Sequence, residues 1–415
     1  MVTSLTCLTP ARAVMSYTED GEYIPAAFGM DDYLAEAERD DIERRFYVDN
    51  KGNKRKVQGD AEQTGGEVLY ELDSLGMSVV KFGNITDASH FAALGHSGAM
   101  EEDGPRFLMR VKGSLQSSGA ETRDLQNGSQ VVPAGVNMIF QGAIPDSSYY
   151  PSKKTSRPIC IIDSGFAGGH PDLQNVYATA ADSSQTNNIY DNGCSHGTHV
   201  AGTIVAENNN FGVLGIFPGA SIKIVKVFDG SSCGWTYSSS IVAAAQHCAA
   251  SGAKIISMSL GGSTRVSSEE SAFYNLRQQG ILIFAAAGNG GSNFYSYPAS
   301  YSSVTSVAAV DQSYQRASFS QWNDEVDIAA PGVNVLSTVS DGSYSSWSGT
   351  SMACPHAAGA AFLLWNKFPG CSSDQILQAM LSTARDLGSS GADSYYGHGI
   401  VQYWSAAKYL AARCG

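Results

Sequence analysis

Beyond Ser129 the chain alternates short, mainly apolar runs with longer helical stretches, and this alternation limits its folds more than any other feature. The runs fall at 158–163, 222–227, 254–260, 281–288, 304–310 and 326–332. None shows the period-two alternation of a strand with one wet face, so each reads as a strand buried on both faces of a parallel sheet. Between them lie 238–252, 267–280 and 350–368, each opening on Ser or Thr and carrying apolar residues at helical spacing. Strand–helix–strand repetition with glycine at the joins predicts an α/β fold with a doubly wound, mainly parallel sheet. No internal repeat or low-complexity tract interrupts it.

The first third has a different texture. Residues 17–125 are charge-rich and punctuated by glycine, as in DDYLAEAERDDIERR at 31–45. Strands are predicted at RRFYVD (44–49), MSVVKF (77–82) and RFLMRV (106–111), with a capped helix at TDASHFAALG (86–95). These make a small α+β unit over about 44–113, and the change of texture puts the domain boundary between 128 and 129. Residues 1–13 end in an A-x-A-like element but lack the basic start and apolar stretch of a signal peptide, so an atypical signal and a late start both fit.

With 43% hydrophobic and 16% charged residues the chain can bury a sizeable core. A net charge of −13 repels phosphate backbones and anionic lipid, which argues against nucleic acid and membrane surfaces as partners. The longest apolar stretch near the C-terminus, Ala357–Trp365, is far below the roughly 18 residues that span a bilayer. None of the eight cysteines forms a CxxC pair, which disfavours a zinc ribbon or a thioredoxin-type site.

Acyl transfer needs a nucleophile, a base and a group that orients the base, and open parallel sheets gather such groups outside the carboxyl ends of their strands. Asp163 ends ICIID; His196 opens a helix in DNGCSHGTHVAGT; Ser351 opens another in WSGTSMACPHAAG. Taken singly, each is an ordinary turn or cap residue. Together, D-S-G, H-G-T-H-V-A-G-T and G-T-S-M-A-x-P-H in that order resemble the signature of subtilisin-like serine proteases. The resemblance runs from about Ser129 to the C-terminus. It implies that Ser351 is the nucleophile, His196 the general base and acid, and Asp163 the residue that fixes the imidazole tautomer. It leaves His199 and His356 structural. Asn289, ending ILIFAAAGNGG, would donate to the oxyanion together with the serine N–H.

The same resemblance places a peptide substrate as an added strand along 256–262. Ser259, Leu260 and Gly261 would form one wall of the pocket for the residue before the scissile bond. Ala286, Ala287 and Gly288 would form the other, and Ser296 the floor. With no charge among them, the pocket should take large apolar or aromatic side chains. The loop ENNNFGVLG (207–215) matches the family's structural calcium loop, with the Asn209 side chain and the carbonyls of Glu207, Phe211 and Val213 as ligands, Asp172 as the carboxylate and Gln130 as a side-chain oxygen. Gln130 lies two residues into the expected mature chain, so full coordination is expected only after cleavage. No catalytic cofactor is implied.

SQVVPAG (129–135) resembles the start of mature subtilisins, so residues 1–128 are expected to be a pro-segment, cut autocatalytically near Gly128–Ser129, and 129–415 the catalytic domain. The N-terminal unit would act as folding chaperone and transient inhibitor, its tail lying in the substrate cleft. A Cys194–Cys233 bridge is favoured, with Cys233–Cys248 as its rival; Cys371–Cys414 could tie down the C-terminus, and Cys354 is expected free and buried. Polypeptide substrates and the chain's own pro-segment are the implied partners, in a monomer. The implied location is secreted, with a vacuole or lysosome as the alternative. A catalytically silent binding or scaffold protein on the same fold is the competing class. A nucleotide binder is disfavoured, because no G-x-G-x-x-G follows a strand and no GxxxxGK[ST] occurs.

Overall fold

The computed structural model describes residues 44–109 and 128–414 apart from 155–156, 182–187, 192 and 231–232, together with the backbone of a short hairpin, Ser16–Tyr17 with Tyr23–Ile24. The A-x-A-like element and Cys7 lie outside the described residues.

The N-terminal unit is an antiparallel sheet carrying two helices. It runs β1 (Arg44–Asp49), α1 (Lys54–Gln63), β2 (Gly66–Leu72), β3 (Met77–Phe82), α2 (Ile85–Phe91) and β4 (Met100–Glu102), with strand order β2-β3-β1-β4. Phe46, Val48, Val80, Phe82 and Phe91 close its small core. Two elements here are absent from the sequence reading. Helix α1 buries only Val57 and Ala61, too narrow a stripe to register as amphipathic. Strand β2 is half-exposed over most of its length.

The third expected strand belongs elsewhere. Within RFLMRV, strand β5 (Pro105–Leu108) does not join this sheet. It inserts between two strands of the following domain, β9 (Thr236–Tyr237) and β11 (Leu260–Gly261), antiparallel to both. Strong β propensity marked the strand; only the tertiary structure decides which sheet it completes.

The second domain has a seven-stranded parallel sheet. Its strands in chain order are β6 (Ile159–Asp163), β7 (Ala178–Ala180), β8 (Ile222–Lys226), β10 (Ile255–Met258), β12 (Leu282–Ala286), β13 (Thr305–Val310) and β14 (Ile328–Pro331), in the spatial order β14-β13-β12-β10-β6-β8-β7. Strands β6, β10, β12 and β13 are buried at every position, as their unalternating apolar sequences require. After a short α3 (Ala134–Ile139), helices α4 (His196–Val205) and α7 (Thr350–Lys367), and on the other face α5 (Ser238–Ala250) and α6 (Ser267–Gln278), cover the sheet. The chain leaves β6 for β8 on one side and returns to β10 on the other, so the winding reverses at β6 and opens a crevice at its carboxyl end.

Disulfides join Cys194 to Cys233, Cys371 to Cys414 and Cys160 to Cys248. The rival Cys233–Cys248 pairing is therefore wrong: Cys160, on the central strand β6, takes Cys248 of α5 and ties helix to sheet. Cys354 is free and buried.

Candidate active site

Two expected residues, Asp163 and His196, meet at the carboxyl end of β6, and the third, Ser351, is bonded just past the end of the neighbouring strand β10. His196 Nδ1 lies 2.8 Å from Asp163 Oδ1 and 3.0 Å from Oδ2, both side chains being fully buried. Oδ1 also accepts the Ser164 N–H at 2.7 Å, and Ser164 Oγ accepts the Gly197 N–H. A carboxylate held this way fixes the imidazole with its proton on Nδ1 and leaves Nε2 as the basic atom. Among the described residues Nε2 has no hydrogen-bond partner.

Helix α4 can approach β6 because of Gly197. A Cβ there would sit 2.3 Å from the Gly165 carbonyl oxygen, so any side chain would push His196 away from Asp163. Asp191, missed in the sequence, anchors the start of α4: its Oδ1 accepts the Ser195 N–H at 3.1 Å and its Oδ2 the Thr198 hydroxyl at 2.8 Å.

Ser351 lies in the first turn of α7. Its hydroxyl donates to the Ser259 carbonyl at 2.9 Å rather than to His196. The Ser259 hydroxyl in turn donates to the Ser351 carbonyl at 2.8 Å. That carbonyl is available because Pro355, four residues on, has no N–H to give it. A proline inside α7 thus frees the bond that joins Ser351 to Ser259.

Asn289 follows β12. Its Oδ1 accepts the Thr350 N–H at 2.9 Å and the Thr350 hydroxyl at 2.8 Å, while its buried Nδ2 has no partner among the described residues. The oxygen end of the amide is tied down and both N–H donors stay available. The other histidines are packed away: His199 donates from Nε2 to backbone carbonyls and stacks on Trp347, and His356 donates from Nδ1 to the Met352 carbonyl. Burial pushes the Cys354 thiol up to about 12, so it stays protonated at neutral pH.

The N-terminal unit fills this site. β5 runs antiparallel to β11 with Leu108 opposite Leu260 and Phe107 opposite Gly261. Past its end, the Met109 N–H donates to the Ser259 carbonyl at 3.1 Å and the Met109 carbonyl accepts the Ser351 N–H at 3.0 Å. The Met109 side chain is buried beside Gly261 and Ser296: a Cβ at Gly261 would lie 2.8 Å from the Met109 Cε and 2.5 Å from the Ser296 hydroxyl. A Cβ at Gly288 would lie 3.2 Å from the Ser296 Cβ. Leu260, Ala286 and Ala287, expected in the same pocket, are buried.

The comparisons with known proteins agree with this geometry. A family model, the subtilase family, matches residues 155–399. The chain belongs to the subtilase family. It is 41% identical to subtilisin E of Bacillus subtilis over 284 residues, 68% of this chain and 72% of that protein. To subtilisin DY of Bacillus licheniformis it is 41% identical over 68% of this chain and the whole of the relative. Among solved structures it resembles Apa1, a psychrophilic subtilisin-like protease of an Antarctic Pseudoalteromonas, with TM-score 0.62 and 30% identity over 69% of this chain and 99% of that one. Fervidolysin of Fervidobacterium pennivorans, a keratinolytic enzyme related to subtilisin, matches with TM-score 0.72 and 27% identity over 88% of this chain and 61% of that one. The subtilase is therefore a serine endopeptidase, and the silent binding or scaffold class falls away.

The expected cation loop is also assembled. Two carbonyls, Glu207 and Val213, converge on the Gln130 amide nitrogen at 2.5 and 3.2 Å. Asp172 accepts from the Asn209 amide at 2.9 Å and the Val213 N–H at 2.7 Å. Burial pushes the Asp172 carboxyl up to about 6. Turning the Gln130 amide over would put its oxygen beside the two carbonyls, so the donor set fits a hard cation. Phe211 enters the loop through its N–H, which donates to Asn209 Oδ1 at 3.3 Å; its carbonyl is the one member that no contact brings in. Gln130 lies in this loop while Met109 occupies the cleft of the same chain.

Proposed function

We propose that this subtilase is a secreted endopeptidase of broad specificity, made as a zymogen, with Asp163, His196 and Ser351 as its catalytic triad. The observation that carries the proposal is the backbone of Met109, hydrogen-bonded at both ends as a substrate residue before a scissile bond would be. The Ser351 hydroxyl turns from the Ser259 carbonyl to His196 Nε2, which takes its proton as Oγ attacks the substrate carbonyl carbon. Negative charge gathers on the carbonyl oxygen, where the Ser351 N–H and Asn289 Nδ2 receive it. His196 then protonates the leaving amine, and an acyl-enzyme remains on Ser351 Oγ. Water, activated by the same imidazole, releases the acid and restores the serine. Asp163 holds Nδ1–H throughout and stabilises the imidazolium.

Met109 fills an uncharged pocket, which supports a preference for large apolar residues before the scissile bond. It also makes Met109–Arg110 the bond presented for a first cut, with 110–128 removed later to reach the expected end near Gly128–Ser129. The N-terminal unit stays bound as inhibitor until degraded. It holds the enzyme at two helix starts: Glu101 accepts from the N–H and hydroxyl groups of Ser267 and Ser268, and Asp103 from the Ser238 hydroxyl and Ser239 N–H. A structural calcium ion would be held by Gln130, Asp172, Glu207, Asn209, Phe211 and Val213. It would lock the loop after α4, away from the chemistry. Secretion follows the relatives; no described helix is long and apolar enough to cross a membrane. Polypeptides are the substrates, and the enzyme acts as a monomer.

Mass spectrometry of the full chain tests the proposal. Wild type should separate into fragments that begin after Met109, while Ser351→Ala stays uncut. Processing of Ser351→Ala in a protease-free host would refute self-cleavage.

A further inference from the structure

Arg106 is the fourth residue before the Met109–Arg110 bond, and nothing in the sequence reading assigned it a role. Its side chain is fully buried although charged. The guanidinium Nε donates to Glu269 Oε1 at 3.1 Å, Nη2 donates to Glu269 Oε2, and Nη1 donates to the Pro105 carbonyl at 2.8 Å. Glu269 is equally buried, and its Oε2 also accepts the Tyr301 hydroxyl at 2.8 Å. The guanidinium lies over Gly262, where a Cβ would stand 3.1 Å from Nη1.

Glu269, Tyr301 and Gly262 all belong to the catalytic domain, so this pocket persists when the N-terminal unit leaves. Glu269 sits in the first turn of α6, where the helix dipole favours a negative charge. The register is fixed by backbone pairing: Arg106 lies opposite Thr236 in β9 while Leu108 lies opposite Leu260 in β11. Any peptide extended in the cleft as β5 is would bring its own fourth residue to the same carboxylate. A carboxylate with its fork-shaped partner already in place favours arginine over lysine. A neutral side chain would leave Glu269 with only the Tyr301 hydroxyl and water as partners, and an acidic one would be repelled.

We propose that Glu269 makes this protease selective for arginine at the fourth position before the scissile bond. The selectivity adds to the apolar preference at the residue before that bond, so the favoured substrates are basic–apolar segments such as Arg-Phe-Leu-Met. It rests on the reading of Met109 as a bound substrate residue. Pockets built to pair a polar group reject analogues that lack it more sharply than apolar pockets do. The open pocket admits water, which tempers the effect to about 10–100-fold.

The test has two arms. In the first, the full chain is expressed and left to process itself, then given internally quenched peptides Pro-Xaa-Phe-Leu-Met-Arg-Val with Arg or Leu at the varied position. Wild type should show kcat/KM about 10–100-fold higher for Arg. Glu269→Leu should prefer the Leu peptide, and its activity on that peptide shows that it is folded. Equal rates for the two peptides in wild type, or an Arg preference that survives in Glu269→Gln, would overturn the proposal. The second arm needs no catalysis. In the full-length Ser351→Ala chain, hydrogen exchange at the Met109 amide should speed up at least tenfold in Arg106→Leu and in Glu269→Gln, and recover in Arg106→Leu/Glu269→Leu. Unchanged exchange in both single variants would overturn it. If neither peptide is cleaved, the protease reading fails, and this second arm still decides the role of Glu269.

Discussion

Replacing Gly261 by Ala should shorten the pocket that holds Met109 without disturbing the chemistry. The new Cβ would sit 2.8 Å from the Met109 Cε. Carbon atoms rest at about 3.5–4.0 Å, so the methyl would intrude by about 1 Å, close to the room of one methylene. It would also meet the Ser296 hydroxyl at 2.5 Å, which can rotate aside. Gly261 lies outside the left-handed backbone region, so alanine brings no strain of its own. One methylene in an apolar pocket is worth about 1–3 kcal/mol, or 10–200-fold in relative kcat/KM. The assay compares quenched peptides that differ only in Met or Ala before the scissile bond. The Met/Ala ratio should fall by that factor, with the Ala peptide within a few-fold of wild type. An unchanged ratio would mean that Gly261 does not wall the pocket. An equal loss on both peptides would mean that the nucleophile has moved.

Three further outcomes follow from particular contacts. Glu101→Ala and Asp103→Ala each remove a helix cap between the two units, costing about 1 kcal/mol of docking apiece; the lag before activity appears after processing should shorten in both. EGTA should lower the melting temperature of wild type but not of Asp172→Ala, since an ion that binds only the folded chain stabilises by mass action; equal melting temperatures with and without EGTA in wild type would argue against the ion. Burial holds His356 down to about 4, so the unfolded chain binds a proton there between its ordinary pKa near 6.5 and about 4 while the folded chain does not. Its contribution is intact above pH 6.5 and lost as pH falls toward 4, by roughly tenfold in the folding equilibrium per pH unit. Relative to wild type, His356→Asn should gain stability across that window, measured by urea unfolding at stepped pH.

Much of the site was legible because its chemistry is local in the sequence. Asp163, His196, Ser351 and Asn289 each end a buried strand or open a helix, and each carries small neighbours that permit close packing. The central sheet was legible from its unalternating apolar runs. What stayed hidden depends on residues far apart in the chain. Arg106 and Glu269 meet across 163 positions, and each alone is an ordinary surface-type charge. Cys160 reaches Cys248 across 88, and one strand of the N-terminal unit completes a sheet of its neighbour. Propensity marks such residues as strand, charge or thiol, but their partners come only with the fold.

The most direct test of the central claim is covalent labelling of the processed enzyme with a fluorophosphonate, with the adduct located by tandem mass spectrometry. The account predicts one adduct, on Ser351, lost in Ser351→Ala and strongly slowed in His196→Ala. No label, or a label on a different residue, would contradict it.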